Sequence, residues 1–154
     1  MIDVLQIAAF NAAYSQAIDS DSLEQWPMFF AADCHYRVTH AENEAQGLPA
    51  GIVWADSRDM LVDRVAALRE ANIYERHRYR HVLGMPLLKS ATSDTAEAQT
   101  PFLVVRIMHT GETVVFATGE YRDRFVRQED RLLLAERVAV CDSTVVDTLL
   151  ALPL

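Results

Sequence analysis

Thr113-Val-Val-Phe-Ala-Thr-Gly-Glu-Tyr-Arg-Asp-Arg-Phe-Val-Arg127 contains no proline, one glycine and many β-branched or aromatic residues, so it reads as one long strand. Before it, Pro101 to Thr110 reads as a second strand, joined by a tight connection at Gly111-Glu112. After it, Gln128-Glu129-Asp130 is a turn into a third strand, Arg131 to Ser143. Strands of this length must twist and curl to bury one face. The segments available to cover the concave side all lie upstream. The expected fold class is therefore α+β, with three N-terminal helices packed in a curved, mostly antiparallel sheet.

The upstream residues supply those helices. Asp3 and Gln6 have the spacing of a capping box, and Ile7, Phe10, Tyr14 and Ile18 then share one stripe, which predicts a helix from about residue 4 to 19. Asp21 with Glu24 predicts a second, short helix carrying Leu23, Trp26 and Phe30, shortened or bent by Pro27. Cys34, Tyr36 and Val38 alternate with His35, Arg37 and Thr39, the pattern of a strand with one wet face. Ala41 to Pro49 reads as a loop, and Gly51 to Trp54 as a short strand. Asp56 with Asp59 caps a third helix that buries Leu61, Val65 and Leu68. Gly84 and Pro86 mark a bulge or an edge, and the small polar residues 89 to 99 read as a mobile turn.

No repeat or composition shift divides the 154 residues, which are read as a single domain, 1–154, with 51% hydrophobic content. The net charge of −8 argues against a nucleic-acid partner. Cys34 and Cys141 are the only cysteines, with no CxxC spacing, and read as reduced core thiols. The N-terminal residues lack the basic start and apolar core of a signal peptide, and no run reaches membrane-spanning length. The expectation is a soluble, cytoplasmic protein.

Against this acidic background, Ile73-Tyr-Glu-Arg-His-Arg-Tyr-Arg-His81 reverses the local sign of charge. If the run is extended, Arg76, Arg78 and Arg80 form one face, and His77, Tyr79 and His81 the other. A guanidinium row in an acidic protein is explained by carboxylates that it meets across a subunit boundary. An ordinary solvated face with a few surface ion pairs is the alternative. The predicted interface set is Tyr74, Arg76, Arg78, Tyr79 and Arg80, together with the C-terminal leucines.

Two kinds of chemistry can be drawn from the sequence. The histidines are His35, His40, His77, His81 and His109, and His77, His81 and Glu75 could form a two-His, one-carboxylate metal site. The interleaved arginines would repel the cation. A Rieske cluster needs two cysteines and two histidines; Cys34 precedes His35, but Cys141 has no histidine near it in sequence, so this chain cannot hold one alone. Acid/base chemistry inside a cone could use Tyr14, Tyr36 and Asp123, a carboxyl flanked by Tyr121 and Phe125. Asp123 paired with Arg137 or Arg122 is the structural alternative. An isomerase or dehydratase would need a pocket open to solvent at Tyr14 and Asp123. A regulatory ligand-binding domain would need the same opening without a displaced carboxyl pKa.

Several motifs occur together in a familiar order: Asp21-Ser-Leu-Glu-Gln-Trp-Pro-Met-Phe-Phe30, Cys34-His-Tyr-Arg-Val38, Arg76-His77, Arg80-His-Val-Leu-Gly84, Gly119-Glu-Tyr-Arg-Asp123 and Glu136-Arg-Val-Ala-Val-Cys-Asp-Ser143. The chain resembles, along its whole length, the small (β) subunits of Rieske-type aromatic ring-hydroxylating dioxygenases. That resemblance implies a cone-shaped NTF2-like, cystatin-like fold and an assembly of three large and three small subunits. It places a Rieske [2Fe–2S] cluster, a mononuclear Fe(II) and the substrate pocket in the large α subunit, with electrons from NADH arriving through a reductase. It assigns no catalytic, cofactor-binding or metal-binding residue to this chain.

Overall fold

The computed structural model describes residues 1–47, 53–71, 76–143 and 152–154. Helix α1 spans Val4–Asp19 and starts at the expected capping box, in which Asp3 accepts from the Gln6 amide at 2.9 Å and Gln6 accepts from the Asp3 amide at 3.0 Å. Its buried face carries Ile7, Tyr14, Ala17 and Ile18, but also Asn11 and Ser15. Phe10, expected on the same stripe, is only partly buried and packs against the core.

The second helix is a 3-10 turn, Leu23–Phe29, that accommodates Pro27. Asp21 does not cap it. Its backbone is left-handed, with φ 62°, and its carboxylate is drawn to Arg69 at 2.9 Å, as Glu24 is at 2.8 Å. Arg69 belongs to helix α3, Arg58–Ala71, so the ion pairs tie that helix to the turn. Helix α3 buries Leu61 and Val65 and packs Leu68 against the core, as expected. Its cap is Ser57, whose hydroxyl accepts from the Met60 amide at 3.2 Å, in place of the expected Asp56. Arg58 donates twice to the Phe30 carbonyl, at 2.9 and 2.6 Å, and fixes α3 on the sheet.

Strand β1 runs Phe30–His40, four residues earlier than Cys34, and buries Cys34, Tyr36 and Val38. The expected loop after it contains a short helix α2, Ala41–Ala45, capped by His40, whose Nδ1 accepts from the Asn43 amide at 3.3 Å. Strand β2 is Val53–Ala55; the rest of the predicted short strand, residues 51 and 52, lies outside the described residues. The Arg/His run is extended, as β3, His77–Leu83.

The largest departure from expectation is at residues 89–99. Instead of a mobile turn, β4, Leu87–Ala91, and the start of β5, Thr95–Met108, form a hairpin closed at Thr92 to Asp94. Thr92 Oγ1 accepts from the amides of Asp94 and Thr95 at 3.2 and 3.0 Å. Gly84 and Pro86 lie in the link between β3 and β4. Strands β6, Thr113–Gln128, and β7, Arg131–Cys141, follow closely as read. Between them Glu129 and Asp130 adopt φ 51° and 62°, the positive values of a primed two-residue hairpin turn.

The sheet order is β2-β1-β7-β6-β5-β3, with β4 also on β5, so one 14-residue strand serves two short partners. All described pairings are antiparallel except β1 with β7, making the seven-stranded sheet mixed. Register shifts at Val104/Val105 and Arg124/Phe125 bend the long strands around α1. The core inside the curl includes Tyr14, Trp26, Phe30, Tyr36, Tyr121 and Phe125, each essentially inaccessible. Among the described residues no helix is long and apolar enough to cross a membrane.

Two predictions follow from this packing. A Cβ at Gly119 would lie 2.0 Å from the Val140 carbonyl oxygen on the neighbouring strand, so Gly119→Ala should cost about 1–3 kcal/mol in a denaturant titration, the usual penalty of overpacking. Cys34 and Cys141 are free and buried, and burial pushes both thiols up from the ordinary thiol value to about 11. The folded state therefore binds more protons than the unfolded state between pH 9 and 11, and stability held below that window is lost as pH rises through it. Melting temperature should fall across it, with a shallower slope in Cys34→Ala/Cys141→Ala. An unchanged slope would show that the thiols contribute nothing.

Candidate functional site

The sequence candidates for acid/base chemistry meet inside the curl. Asp123 on β6 and Arg137 on β7 are register partners. Arg137 is fully buried, Nε donating to Asp123 Oδ1 and Nη2 to Asp123 Oδ2, both at 2.8 Å. Of the two possible structural partners for Asp123, Arg137 is the one used. Arg122 faces the opposite side of β6 and pairs with Glu120 at 3.0 Å. Nη2 of Arg137 also donates to Asn11 Oδ1 at 2.6 Å, while Asn11 Nδ2 donates to Thr100 Oγ1 at 3.2 Å. The guanidinium is sandwiched between two rings, its carbon 4.3 Å from the Tyr14 centroid and 3.9 Å from that of Tyr121.

Asp123 is thus not a base facing a substrate. Burial pushes its carboxyl up from the ordinary value, and the Arg137 charge and hydrogen bonds pull against that rise. Burial equally opposes the Arg137 charge, but Asp123 outweighs it and the guanidinium pKa goes up. Each partner supplies the solvation that burial takes from the other.

Tyr14 and Tyr36 are equally occupied. Tyr14 Oη donates to the Leu154 main-chain oxygen at 2.8 Å, and Tyr36 Oη donates to the same oxygen at 3.2 Å. Trp26 Nε1 donates to Tyr14 Oη at 2.9 Å, and the Leu154 amide donates to Tyr36 Oη at 3.2 Å. Burial raises the pKa of both phenols, keeping them protonated donors. Leu152 and Leu154 are buried beside them. An isomerase or dehydratase requires an opening at Tyr14 and Asp123; this space is filled by the chain's own side chains and by Leu154.

Asn11 and Leu154 were not foreseen as members of this network. The signal for Asn11 was its place on the apolar stripe of α1, one turn from Tyr14, where a polar side chain needs a partner. No local pattern marks Leu154.

The two described members of the two-His, one-carboxylate set have other partners. His81 Nδ1 lies 2.7 Å from Asp19 Oδ1, while the His81 amide donates to Asp19 Oδ2 at 2.8 Å, joining β3 to the end of α1. His77 packs on Tyr79, with centroids 5.4 Å apart. His40 caps α2, His35 lies on β1, and His109 lies in the turn after β5, its amide donating to the Arg76 carbonyl at 3.1 Å. Glu75 lies outside the described residues. Among the described residues no group of three His, Cys, Asp or Glu side chains could hold a metal ion.

Arg78 and Arg80 lie on β3, an end strand of the sheet path, and Arg76 immediately precedes it. Arg76, Arg78 and Arg80 are exposed, and among the described residues none of them makes an ion pair. Arg78 sits opposite Ile107, Arg80 opposite Val105, and the exposed Val82 opposite Leu103, so a cationic row borders an apolar one. Tyr79 differs from expectation. It is turned inward, 1% exposed, and stacks on Phe116 at 5.2 Å, backing the arginine face without forming part of it. Tyr74 lies outside the described residues.

Comparison with known proteins places this geometry. The SnoaL-like domain family matches residues 1–138. The chain is 67% identical, over 154 residues and the full length of both proteins, to the terminal oxygenase component subunit β 1 of terephthalate 1,2-dioxygenase from Comamonas sp.. It is 38% identical over 149 residues to the small subunit of anthranilate 1,2-dioxygenase from Burkholderia cepacia, covering 97% of this chain and 92% of that one. A crystal structure described as the β subunit of an aromatic-ring-hydroxylating dioxygenase from Novosphingobium aromaticivorans superposes with a TM-score of 0.88 at 38% identity, covering 99% of this chain and 100% of the other. With its interior closed by Arg137 and Leu154 and its arginines on an edge strand, the chain belongs to the SnoaL-like domain family and, within it, to the β subunits of aromatic-ring-hydroxylating dioxygenases.

Proposed function

We propose that this protein is the non-catalytic β subunit of a terephthalate 1,2-dioxygenase oxygenase component. The observation that carries the reading is full-length 67% identity to a β subunit of that enzyme. A salicylate- or anthranilate-type substrate is the subordinate assignment, given 38% identity to the anthranilate relative. The partner α subunit would carry the Rieske [2Fe–2S] cluster, the mononuclear Fe(II) and the aromatic carboxylate, and add both atoms of dioxygen to give a cis-dihydrodiol. Electrons would come from NADH through a separate reductase. The assembly is an α3β3 hexamer in the cytoplasm, with residues 1–154 of each β chain acting as one domain.

The role of this chain is to hold the α subunits in register. Arg76, Arg78 and Arg80 are the interface residues, supported by their exposure, their position on an end strand and the apolar row beside them. The filled interior supports the non-catalytic assignment, since Asp123 is held bidentate by Arg137 and Leu154 occupies the space at Tyr14 and Tyr36.

Two measurements test the reading. Arg78→Glu/Arg80→Glu should lower recovery of the α-containing complex at least tenfold in a pull-down of tagged β chain, with unchanged circular dichroism of the isolated chain. Normal recovery of an iron-containing partner would place the interface elsewhere. Inside the curl, Arg137→Met leaves a buried carboxylate unpaired and should cost about 3–5 kcal/mol, whereas Asp123→Leu/Arg137→Met should recover most of that loss. Assembled with α, the double variant should turn over terephthalate with kcat within about twofold of wild type. A stable, assembled double variant with abolished turnover would make the pair catalytic.

A further inference from the structure

The two terminal strands of the sheet carry opposite charge. β3 ends the path on one side and β2 on the other. On β3, Tyr79 and His81 are turned inward and buried, while Arg78, Arg80 and Val82 alternate with them and face out. The acids on the groove beside this row are already committed, Asp19 to His81 at 2.7 Å and Asp21 to Arg69 at 2.9 Å. Among the described residues the row therefore keeps its charge for another molecule.

The other end is acidic around an exposed indole. Val53 and Ala55 of β2 are buried, so Trp54, 55% exposed, and Asp56 just past the strand face out. Asp33 is exposed nearby, since it and Asp56 both act on the Cys34 thiol, and the exposed Asp59 stands in the first turn of α3. Arg58, the cation among them, is held on the Phe30 carbonyl. Trp54 also walls a cup of about 220 Å³ together with Glu136 and Val138. Both arginines of that cup are occupied within the chain, Arg37 by Glu44 at 2.9 Å and Arg137 by Asp123 at 2.8 Å, which leaves Glu136 to set its sign. None of Asp33, Asp56, Asp59 and Glu136 makes an ion pair among the described residues. An indole face beside a carboxylate is a seat for a guanidinium. The spacing agrees, because Arg78 and Arg80 are two strand residues apart, as are Trp54 and Asp56, roughly 7 Å in each case. The two halves lie at opposite ends of a sheet path about 24 Å across, too far to meet within one copy.

We propose that the β3 arginines of one copy dock, head to tail, on the Trp54 cup and its aspartate rim on a second copy of this chain. Arg80 lies over Trp54 against Glu136, and Arg78 meets Asp56. Each copy then has one half left at either end, so the contact propagates until it closes in a ring, as the three β chains of the proposed hexamer do. The inference rests on the reading of Arg76, Arg78 and Arg80 as interface residues and names what they meet.

Disulfide trapping in the complex co-expressed with α tests the contact. A tagged chain carrying Arg78→Cys and Asp56→Cys should give a ladder of linked β chains on a non-reducing gel after mild oxidation, and neither single variant should. Within one copy the two positions are beyond disulfide reach, and the native Cys34 and Cys141 are buried. An adduct with α, or no adduct, overturns the inference, while α recovered with the tagged chain leaves the dioxygenase reading standing. Charge reversal gives a second readout, the capture of one tagged β chain by a differently tagged one. Arg78→Glu/Arg80→Glu should lower that capture about tenfold, and adding Asp56→Arg/Asp59→Arg to the same chain should return it to within about threefold of wild type. A four-site variant with unchanged circular dichroism that regains no capture overturns the inference. Should that variant fail to fold, the trapping result decides alone.

Discussion

A buried guanidinium has to be solvated by the protein itself, and meeting that demand organises the interior. Arg137 receives both carboxylate oxygens of Asp123, the amide oxygen of Asn11, and the faces of Tyr14 and Tyr121. These groups come from β6 and α1 while Arg137 stands on β7, so the charge can be satisfied only when helix and sheet are docked in one arrangement. Removing an ion pair from water costs several kcal/mol per ion, returned only by good geometry. The two contacts of 2.8 Å to one carboxylate meet that condition.

The same constraint separates this chain from a free-standing catalyst of similar shape. An enzyme built in such a cone keeps a carboxyl or phenol free at its mouth, with a pKa tuned by burial. Here the carboxyl is bidentate to a cation, the Tyr14 and Tyr36 phenols are donors to main-chain oxygen, and His81 is paired with Asp19. Arg76, Arg78 and Arg80, which make no ion pair among the described residues, are on the outside, at and just before β3. Polar chemistry has been turned from the pocket to the edge, which suits a subunit whose contribution is positional.

What could be read from the sequence was local. The α1 capping box, the alternation in β1 and the long closing strands were legible because each is a pattern within one element. The β4–β5 hairpin was not, because its inward positions are the small Ala96 and Ala98, which give almost no hydrophobic alternation to see. The choice between Arg137 and Arg122 for Asp123 was partly legible: Arg122, adjacent to Asp123 along a strand, has to face the opposite side. Asp21 does not cap the second helix as its sequence position suggests, because Arg69, 48 positions away, claims its carboxylate. The insertion of Leu154 between Tyr14 and Tyr36 joins positions 140 and 118 residues apart, beyond any periodicity.

The parallel pairing of β1 with β7 has a consequence for how the protein is made. In the order of synthesis β1 emerges early, and its short antiparallel partner β2 covers only three of its residues. Its other side gains a neighbour only with β7, the last strand, so the ribosome must release most of the chain before the sheet can close. Until then the nascent polypeptide carries an open hydrogen-bonding flank. An operon that delivers both subunits together, or a chaperone that shields that flank, would suit such a delay.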